Sequence, residues 1–382
     1  MKQQKLVILG STGSIGEQAL QIVREQPERF DILALSCNAS WESLAEQVRE
    51  FSPAYALVCD KEYFHDFKQS IADCNTEALL GSESLVELAT LEEADLILNS
   101  LVGFAGFEST VTALKADKKV ALANKESLVV GGALINEILD EGKGQLVPVD
   151  SEHSAMLQCM VGEDWDTVSK LIITASGGPF RTWSVDKIKN VTVNDALNHP
   201  NWSMGAKITI DSSTLMNKGL EIIEAHWLFG LPLSKIEPVV HPQSVIHSVI
   251  EFVDGSSKAQ LGPPTMKVPI LYALTYPERI SMEAPLLDWN EAFDLNFEPV
   301  DYERFPCIKL AIESAEAEGS APAILNAANE IAVERFLNEE IPYIKIPIII
   351  EKCLERLEHQ TNLSVQTLIE IDHEARELAS NI

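Results

Sequence analysis

The fold class is indicated by a stretch near the start of the chain, Lys5-Leu6-Val7-Ile8-Leu9-Gly10-Ser11-Thr12-Gly13-Ser14-Ile15-Gly16. It reads as an apolar strand, a glycine-rich turn and the start of a helix that continues through Arg24. Glycines in such a turn let the backbone approach a phosphate, and the amides and dipole at the helix start favour an anion. The spacing is GxxGxxG, not GxGxxG, so the motif alone leaves a plain tight turn as an alternative. The strand before it and the helix after it favour a nucleotide site.

Further strand-like segments follow at residues 30–36, 54–59, 94–101, 120–123 and 145–150, with amphipathic stretches between them. This alternation is typical of a doubly wound parallel sheet, and we predict a Rossmann-type domain over residues 1–149. The second segment leads into Asn38-Ala39-Ser40, where NAD-specific folds usually carry an acid for the ribose. No acid stands there, and Asn38 and Ser40 could bind a 2′-phosphate, so the sequence favours NADP.

Two polar stretches lie at predicted strand ends, where α/β sheets usually bind ligands. Asp150 and Glu152 close the strand at 145–150, and side chains two apart on a strand share a face, so we expect the two carboxylates to converge. The pair could instead cap a helix or face solvent. The second stretch, Asn124-Lys125-Glu126-Ser127, fits a capped helix start with a solvated lysine. It also fits Asn124 and Glu126 near a nicotinamide with Lys125 near the substrate.

The middle of the chain, residues 150–275, is predicted to be an α/β catalytic domain. Its periodicity fades over about residues 177–206, which we interpret as a lid because tryptophans on a mobile segment need something to cover. Aromatic side chains packed on the domain surface are the alternative. A strand at 207–210, a helix cap at 211–214 and a helix through 229 are predicted next. Lys218 and Glu221 fit a surface ion pair, or a phosphate pocket to which Lys218 belongs with Ser176, His199, Ser212 and Asn217.

The last third of the chain changes character. Residues 236–252 and 258–261 predict antiparallel strands that often form dimer surfaces, and we assign His241 and His247 within them to packing or hydrogen bonding. Residues 276–301 predict a linker. The segments 306–318, 322–340, 347–360 and 364–380 are helix-patterned, so residues 302–382 predict a C-terminal α-helical bundle.

Composition limits the partners and the compartment. The 382 residues include 58 acidic and 29 basic side chains, a formal net charge of -29. This field repels nucleic acid and anionic membranes, so neither is a predicted partner, and an anionic substrate needs local donors and cations. The six cysteines show no metal-type spacing, and no apolar run is long enough to span a membrane. We predict a cytoplasmic protein with reduced thiols and no targeting segment.

Six motifs together, in their order along the chain, resemble the 1-deoxy-D-xylulose 5-phosphate reductoisomerase family. They are residues 10–16 (GSTGSIG), 124–127 (NKES), 149–155 (VDSEHSA), 176–180 (SGGPF), 199–205 (HPNWSMG) and 217–221 (NKGLE). The likeness runs nearly end to end and includes the ILNAANE segment at 324–330. It implies an NADPH-dependent homodimer that rearranges 1-deoxy-D-xylulose 5-phosphate and reduces it to 2-C-methyl-D-erythritol 4-phosphate, a step toward isoprenoid precursors.

The resemblance also implies the site residues. It makes Asp150, Glu152 and Glu221 the ligands of a divalent cation, and three hard oxygen donors suit Mg²⁺ or Mn²⁺. It gives Lys125 a catalytic role with these three. It places on the substrate and its phosphate, besides Lys125, Glu152 and Glu221, the side chains of Ser151, Ser176, His199, Trp202, Ser212, Asn217 and Lys218. It places on NADPH the residues Thr12, Gly13, Ser14, Ile15, Asn124, Glu126 and Gly205.

One departure and two rival functions remain open at this point. The family commonly shows a Gly-Lys-Asn or Gly-Ser-Asn segment where this chain has Asn38-Ala39-Ser40, which weakens the argument for a strict NADP preference but not for nicotinamide use. One rival is a metal-independent Rossmann dehydrogenase, which would need a catalytic cysteine or a Lys/Asp pair. The other is a relative that binds NADPH without catalysis.

Overall fold

The protein is described from a computed structural model that covers residues 3–202, 204–290 and 292–382. Met1 and Lys2 of the predicted Rossmann-type domain, Ser203 of the predicted lid and Glu291 of the predicted linker lie outside the described residues. The chain forms two compact units. Unit 1 comprises Met1–Ser127, Ile135–Asp150 and Met266–Ala284, and unit 2 comprises Leu128–Leu134, Ser151–Thr265 and Pro285–Ile382. The division into three domains and a linker stays a prediction.

The helices and strands of the first part of the chain alternate regularly. They are β1 (Gln4–Leu9), α1 (Ser14–Glu25), β2 (Phe30–Cys37), α2 (Trp41–Phe51), β3 (Tyr55–Val58), α3 (Phe64–Ser70), β4 (Glu77–Leu80), α4 (Ser84–Ala89), β5 (Leu96–Asn99), α5 (Phe107–Lys115), β6 (Lys119–Leu122), α6 (Glu126–Asp140) and β7 (Gln145–Pro148).

The remaining elements are richer in helix. They are α7 (Ser151–Cys159), β8 (Val168–Ala175), α8 (Val185–Ile188), α9 (Val193–Leu197), α10 (Ala206–Thr214), α11 (Met216–Phe229), β9 (Ile236–Val240), β10 (Ile246–Phe252), β11 (Ser257–Leu261), α12 (Lys267–Thr275), α13 (Pro306–Ala317), α14 (Ala321–Leu337), α15 (Lys345–Arg356) and α16 (Val365–Asn381).

Unit 1 contains a parallel sheet in the order β4-β3-β2-β1-β5-β6-β7. Its centre is β1, whose residues Leu6, Val7, Ile8 and Leu9 are fully buried, as expected for a strand covered on both faces. The strand order runs outward in two directions from β1 and β5, so the turn after β1 lies at the switch point where such sheets bind ligands. The predicted Rossmann-type sheet is confirmed. The short strand β4 was not predicted.

Unit 2 contains a second sheet in the order β11-β10-β8-β9. The strand β10 runs antiparallel to β11, as predicted. It also runs antiparallel to β8, whereas β9 runs parallel to β8, and neither of these pairings was predicted. The predicted helices of the C-terminal part are present as α13 to α16, and α14 packs against α15 and α16. The mixed architecture of the predicted α/β fold class is therefore confirmed.

The predicted strand at residues 207–210 is wrong, because these residues belong to helix α10. The β-branched sequence Ile208-Thr209-Ile210 favours a strand in isolation. The helix is nevertheless buried without interruption from Thr209 to Thr214, so tertiary packing and not a one-sided pattern sets its conformation. The predicted lid segment is not structureless either, since it contains the short helices α8 and α9.

Candidate active site

The glycine-rich turn of unit 1 depends on glycine for its closure. Gly10 has a φ of +85°, and a Cβ atom at Gly16 would lie 2.4 Å from the carbonyl oxygen of Gly10 and 2.5 Å from the Cα atom of Ser11. Both close atoms are backbone, so no side-chain movement could relieve the clash. The turn is also tied to α2, because the Ser11 hydroxyl donates to Gln47 Oε1 at 2.6 Å. The N-cap of α1 is Gly13, which leaves the first helical amides without a side-chain cap.

The residues of this region that are predicted to bind the cofactor are accessible to solvent. Thr12, Gly13, Ser14 and Ile15 all reach solvent, and so do Asn38 and Ser40 after β2. The backbone carbonyl of Asn38 accepts a hydrogen bond from the amide of Asp60 at 3.1 Å. The turn that carries Asn38 and Ser40 is thus anchored through its backbone to the segment after β3.

The corner after β6 is built around Asn124, which is 1% exposed. Its amide nitrogen donates to the carbonyl oxygens of Leu101 and Gly103 at 3.0 and 2.8 Å and lies 3.2 Å from Glu126 Oε2. Its carbonyl oxygen accepts from the backbone amide of Ser127 at 3.1 Å. An Asn side chain has only two N–H groups to donate. The side chain of Asn124 therefore holds the corner, and a cofactor contact by this residue would fall to its backbone.

Lys125, the next residue of this corner, forms an ion pair with Asp150, which follows strand β7. Its ammonium lies 2.6 Å from Asp150 Oδ2, and both side chains are largely buried. The helix start is therefore capped by Asn124, but its lysine is buried and paired instead of solvated. The positive charge of Lys125 therefore lies beside the Asp150 carboxylate. Asp150 stands two residues before Glu152 in the chain.

Glu152 does not continue the strand, and the predicted strand geometry of the acidic pair is wrong. The strand β7 ends at Pro148, and Glu152 lies in the first turn of α7, where a carboxylate also interacts favourably with the helix dipole. The side chain of Glu152 accepts from the hydroxyl of Ser151 at 2.5 Å. In the chain, the two acidic residues therefore lie at a strand-to-helix junction and not along one strand.

Lys218 joins Glu152 to Glu221 in unit 2. Its ammonium lies 2.8 Å from Glu152 Oε1 and also contacts Glu221 Oε2, and Asn217 donates to Glu221 Oε1 at 2.5 Å. Lys218 is 3% exposed and Glu221 is 1% exposed, so the predicted surface ion pair is buried instead. Burial lowers the pKa of Lys218, but the charges of Glu152 and Glu221 outweigh it and leave that pKa above its ordinary value. The lysine is therefore an ammonium in this cluster.

A buried histidine, His153, links the helix that carries Glu152 to the helix that carries Glu221. The sequence did not predict this contact. His153 Nε2 lies 2.9 Å from the backbone carbonyl oxygen of Glu221, so this nitrogen carries a proton and donates it. His153 Nδ1 lies 3.4 Å from Glu224 Oε2, one helical turn beyond Glu221. His153 thus fixes α11 to α7 at the level of the two glutamates.

Ser176 and His199, which are 23 residues apart, meet as the predicted phosphate pocket requires, with Ser176 Oγ 3.0 Å from His199 Nε2. His199 Nδ1 accepts the backbone amides of Asn201 and Trp202 at 3.2 and 3.0 Å, so the proton of the neutral ring sits on Nε2 and is donated to Ser176. Burial lowers the pKa of His199, which favours this neutral form.

His247, which the sequence assigns to packing or hydrogen bonding, packs beside the lid tryptophan. Its ring lies edge-on to that of Trp202 with centroids 6.3 Å apart, and it is 7% exposed. Burial lowers its pKa, while the nearby Glu152 carboxylate raises it and the nearby Lys218 ammonium lowers it. His247 therefore lies between the lid tryptophan and the acid-lysine cluster.

Ser212 lies in the last turn of α10, 9% exposed. The turn after Ser176 packs on its backbone, since a Cβ atom at Gly178 would lie 2.6 Å from the Ser212 carbonyl oxygen. Gly205, the remaining predicted cofactor residue, is the exposed N-cap of the same helix. Unit 2 thus brings Ser151, Glu152, Asn217, Lys218 and Glu221 into one cluster, and places Ser176 beside His199 and next to the Ser212 backbone.

The parallel sheet with its glycine turn, together with a buried acid-lysine cluster, defines a Rossmann-type enzyme with a polar catalytic centre. Three family models match the chain: 1-deoxy-D-xylulose 5-phosphate reductoisomerase at residues 6–132, its C-terminal domain at 146–229, and the DXP reductoisomerase C-terminal domain at 261–378. The chain belongs to the 1-deoxy-D-xylulose 5-phosphate reductoisomerase family.

Individual relatives agree over the full length. The chain is 49% identical to the 1-deoxy-D-xylulose 5-phosphate reductoisomerase of Chloroherpeton thalassium, over 98% of this chain and 96% of the relative. The solved reductoisomerase of Zymomonas mobilis in complex with NADPH is 43% identical, with a TM-score of 0.92 over 99% of this chain and 98% of that one. A reductoisomerase solved with NADPH, fosmidomycin and magnesium is 40% identical, with a TM-score of 0.94 over the same shares. The predicted family, fold and enzyme class are confirmed.

Proposed function

We propose that this chain is an NADPH-dependent enzyme that rearranges 1-deoxy-D-xylulose 5-phosphate and reduces the resulting aldehyde to 2-C-methyl-D-erythritol 4-phosphate. The observation that carries the proposal is the buried contact of one ammonium, that of Lys218, with the carboxylates of Glu152 and Glu221. Such a cluster combines a cation for an anionic substrate with hard oxygen donors for a metal. It places a buried cation beside the proposed metal ligands in a chain with a net charge of -29.

Asp150, Glu152 and Glu221 would hold a divalent cation, Mg²⁺ or Mn²⁺. The donor set fits such an ion, because all three side chains offer carboxylate oxygens and the ligand atoms of Glu152 and Glu221 lie within 4.8 Å of one another. When bound, the cation supplies Lewis acidity for the carbonyl and hydroxyl oxygens of the substrate. Lys125 would add positive charge beside Asp150.

The polar side chains of unit 2 would bind and orient the substrate. Binding energy from a phosphate remote from the reacting carbons contributes to orientation at those carbons. Trp202 would cover the substrate and exclude water from the aldehyde before the hydride arrives. The residues that we place on the substrate and its phosphate are Ser151, Ser176, His199, Ser212, Asn217 and Lys218.

NADPH would bind at the glycine-rich turn, which fits a pyrophosphate because its helix begins at a glycine with uncapped amides. Ala39 offers no polar side chain, so Asn38 and Ser40 are the candidates for the 2′-phosphate. Glu126 and the backbone of Asn124 would lie towards the nicotinamide. The other proposed contacts are Thr12, Gly13, Ser14, Ile15 and Gly205.

We further infer a homodimer. The strand β11 stands at one end of its sheet and exposes Ser257 and Lys258, and a strand in that position is a ready template for pairing with a second copy. Within the described residues, no helix is both long and apolar enough to cross a membrane. A cytoplasmic location, suggested by the reduced thiols, belongs to the same proposal.

The direct test is turnover of the purified protein with 1-deoxy-D-xylulose 5-phosphate, NADPH and Mn²⁺, followed as loss of NADPH absorbance. We expect turnover that a chelator abolishes and that added Mg²⁺ or Mn²⁺ restores. Full turnover after chelation would refute the metal assignment. An unchanged absorbance trace with confirmed NADPH binding would instead favour the non-catalytic relative.

A metal-independent dehydrogenase that uses a cysteine is poorly supported by the thiols. A catalytic cysteine needs a lowered pKa, because the thiolate is the nucleophile. Burial raises the pKa of Cys37 and Cys307 to about 12 and that of Cys59 and Cys353 to about 11. These four thiols therefore remain protonated at neutral pH.

A further inference from the structure

The two residues that flank Ser212 are both tied to the C-terminal helices. Asp211 accepts a hydrogen bond from Asn329 Nδ2 of α14 at 2.8 Å, across 118 residues of sequence. Ser213 Oγ lies 3.2 Å from the phenol oxygen of Tyr343, two residues before the start of α15, across 130 residues. The peptide that carries Ser212 is therefore held on both sides by one helical region.

Ser213 and Asp211 each have a second partner within α10. Ser213 Oγ lies 2.7 Å from the carbonyl oxygen of Ile210 as well as 3.2 Å from the Tyr343 hydroxyl oxygen. Asp211 is 1% exposed and also pairs with Lys207 Nζ at 2.9 Å. A buried polar group needs hydrogen-bond partners, so the Asn329 contact is part of what keeps Asp211 in place.

The opposite side of the same peptide meets the substrate pocket. Gly178, which has a φ of +64°, approaches the Ser212 carbonyl oxygen so closely that no side chain would fit between them. Helix α10 ends at Thr214, and Leu215 adopts a left-handed conformation before α11 brings Asn217 and Lys218. A small rotation of the last turn of α10 would therefore move Ser212 relative to Asn217 and Lys218.

We propose that Asn329 and Tyr343 are positioning residues that hold the Ser212 hydroxyl in register with Asn217 and Lys218 for the substrate phosphate. This inference rests on the proposed function of Ser212 as a phosphate contact. It gives the C-terminal helices a part in catalysis without any contact with the substrate, since orientation of a remote phosphate is carried over to the reacting carbons.

The test is a double-mutant cycle on the full-length enzyme with Ser212→Ala, Asn329→Ala and the double variant. We expect Asn329→Ala to raise the KM for the phosphorylated substrate about tenfold with kcat within about twofold and the KM for NADPH unchanged, as for a lost hydrogen bond to a charged group. In the Ser212→Ala background the same substitution should change KM by less than about twofold, because residues that act through one another are not additive.

Asn326 is the matched control. It lies one turn earlier on α14, is also 0% exposed, and donates to Glu330 at 2.8 Å within its own helix instead of to α10. Asn326→Ala should leave KM within about twofold in both backgrounds. If Asn329→Ala does not fold, Tyr343→Phe removes only the hydroxyl and should raise KM in the same coupled manner.

The outcomes separate the two layers of the argument. If Ser212→Ala leaves KM unchanged, the proposed role of Ser212 is wrong. If Ser212→Ala raises KM, but Asn329→Ala and Tyr343→Phe either leave KM unchanged or add to the Ser212 effect, then Ser212 keeps its role and the positioning inference is overturned.

Discussion

The glycine-rich turn of unit 1 and the acid-lysine cluster of unit 2 are built in opposite ways. The turn uses backbone from one short run, residues 10–16, and its closest approach is between Gly16 and Gly10. The cluster uses side chains, and its central contact joins Lys218 to Glu152 across 66 residues. A backbone site is specified by local sequence, whereas a side-chain site exists only once the fold has brought distant residues together. Their responses to substitution should differ accordingly.

Substitution of Glu221 should have the largest effect. Glu221→Gln keeps the shape but removes a charge from the proposed metal site and leaves the Lys218 ammonium with one carboxylate. We expect kcat/KM to fall about a thousandfold or more, in line with the loss of a group that stabilises transition-state charge. NADPH affinity, measured by fluorescence titration, should stay within about twofold because the turn of unit 1 is untouched.

The exposed pair Lys309–Glu313 provides the control for that substitution. Its charged atoms are 3.5 Å apart and its side chains are more than half exposed, so Glu313→Gln should leave activity unchanged. If Glu221→Gln were as harmless as Glu313→Gln, Glu221 would return to being an ion-pair partner and the contrast between the two regions would lose its catalytic meaning.

Substitution of Gly16 should produce the converse, intermediate effect. A methyl group at Gly16 meets backbone atoms of Gly10 and Ser11 at 2.4 to 2.5 Å, so Gly16→Ala must displace the turn itself. We expect NADPH binding to weaken by about ten- to a hundredfold, the range of one to two lost backbone contacts. Calorimetric titration with NADPH and, separately, with Mn²⁺ measures both sites, and the Mn²⁺ affinity should not change.

Gly13 is the graded comparison within the same turn. A Cβ atom there would lie 3.4 Å from the Gly10 carbonyl oxygen, an ordinary contact, and Gly13 has a φ of -82°. Gly13→Ala should therefore weaken NADPH less than Gly16→Ala does. The reverse order would mean that the turn binds the cofactor by direct approach at Gly13 and that its internal closure matters less.

The same contrast explains what the sequence could predict. The parallel sheet and the turn followed from local patterns, because buried strands and glycine turns carry their signal within a few residues. The strand expected at 207–210 failed because α10 is buried from Thr209 onward, and a helix without a one-sided pattern shows no helical period. The prediction that Asp150 and Glu152 share one face of a strand was wrong, because β7 ends at Pro148 and helix α7 begins at Ser151, between them.

Residues that act through tertiary contacts gave the least signal. Lys218 and Glu221 fitted a surface pair equally well, and only the family resemblance favoured the site before the fold was known. His153 and Glu224 were missed because their partners lie on other elements, as with the bond of His153 to the Glu221 carbonyl across 68 residues. No periodicity or spacing in a single sequence encodes such a contact.

The smallest effect is expected from a change of pH at the Ser176–His199 contact. Here the His199 side chain of unit 2 holds backbone amides in place, whereas the glycine turn of unit 1 closes backbone against backbone. Burial lowers the pKa of His199 below its ordinary value of 6.5, and its neutral Nδ1 accepts the amides of Asn201 and Trp202. In the unfolded chain the ring takes up a proton first as the pH falls. The neutral contact therefore stabilises the fold above pH 6.5, and this contribution is lost as the pH falls through the lowered folded-state pKa.

We accordingly expect the KM for the substrate to rise by about two- to fivefold as the pH falls from neutrality through that range, because a protonated Nδ1 can no longer accept the amides that place Trp202. The phosphate group of the substrate itself titrates near pH 6, so the profile of the wild-type enzyme alone does not assign the rise in KM to His199. His199→Asn keeps an acceptor oxygen near Nδ1 but cannot titrate, and its KM should lack the part of the acid rise that belongs to the histidine. Parallel profiles in both proteins would assign the whole rise to the phosphate and leave His199 a fixed, neutral anchor for the lid segment.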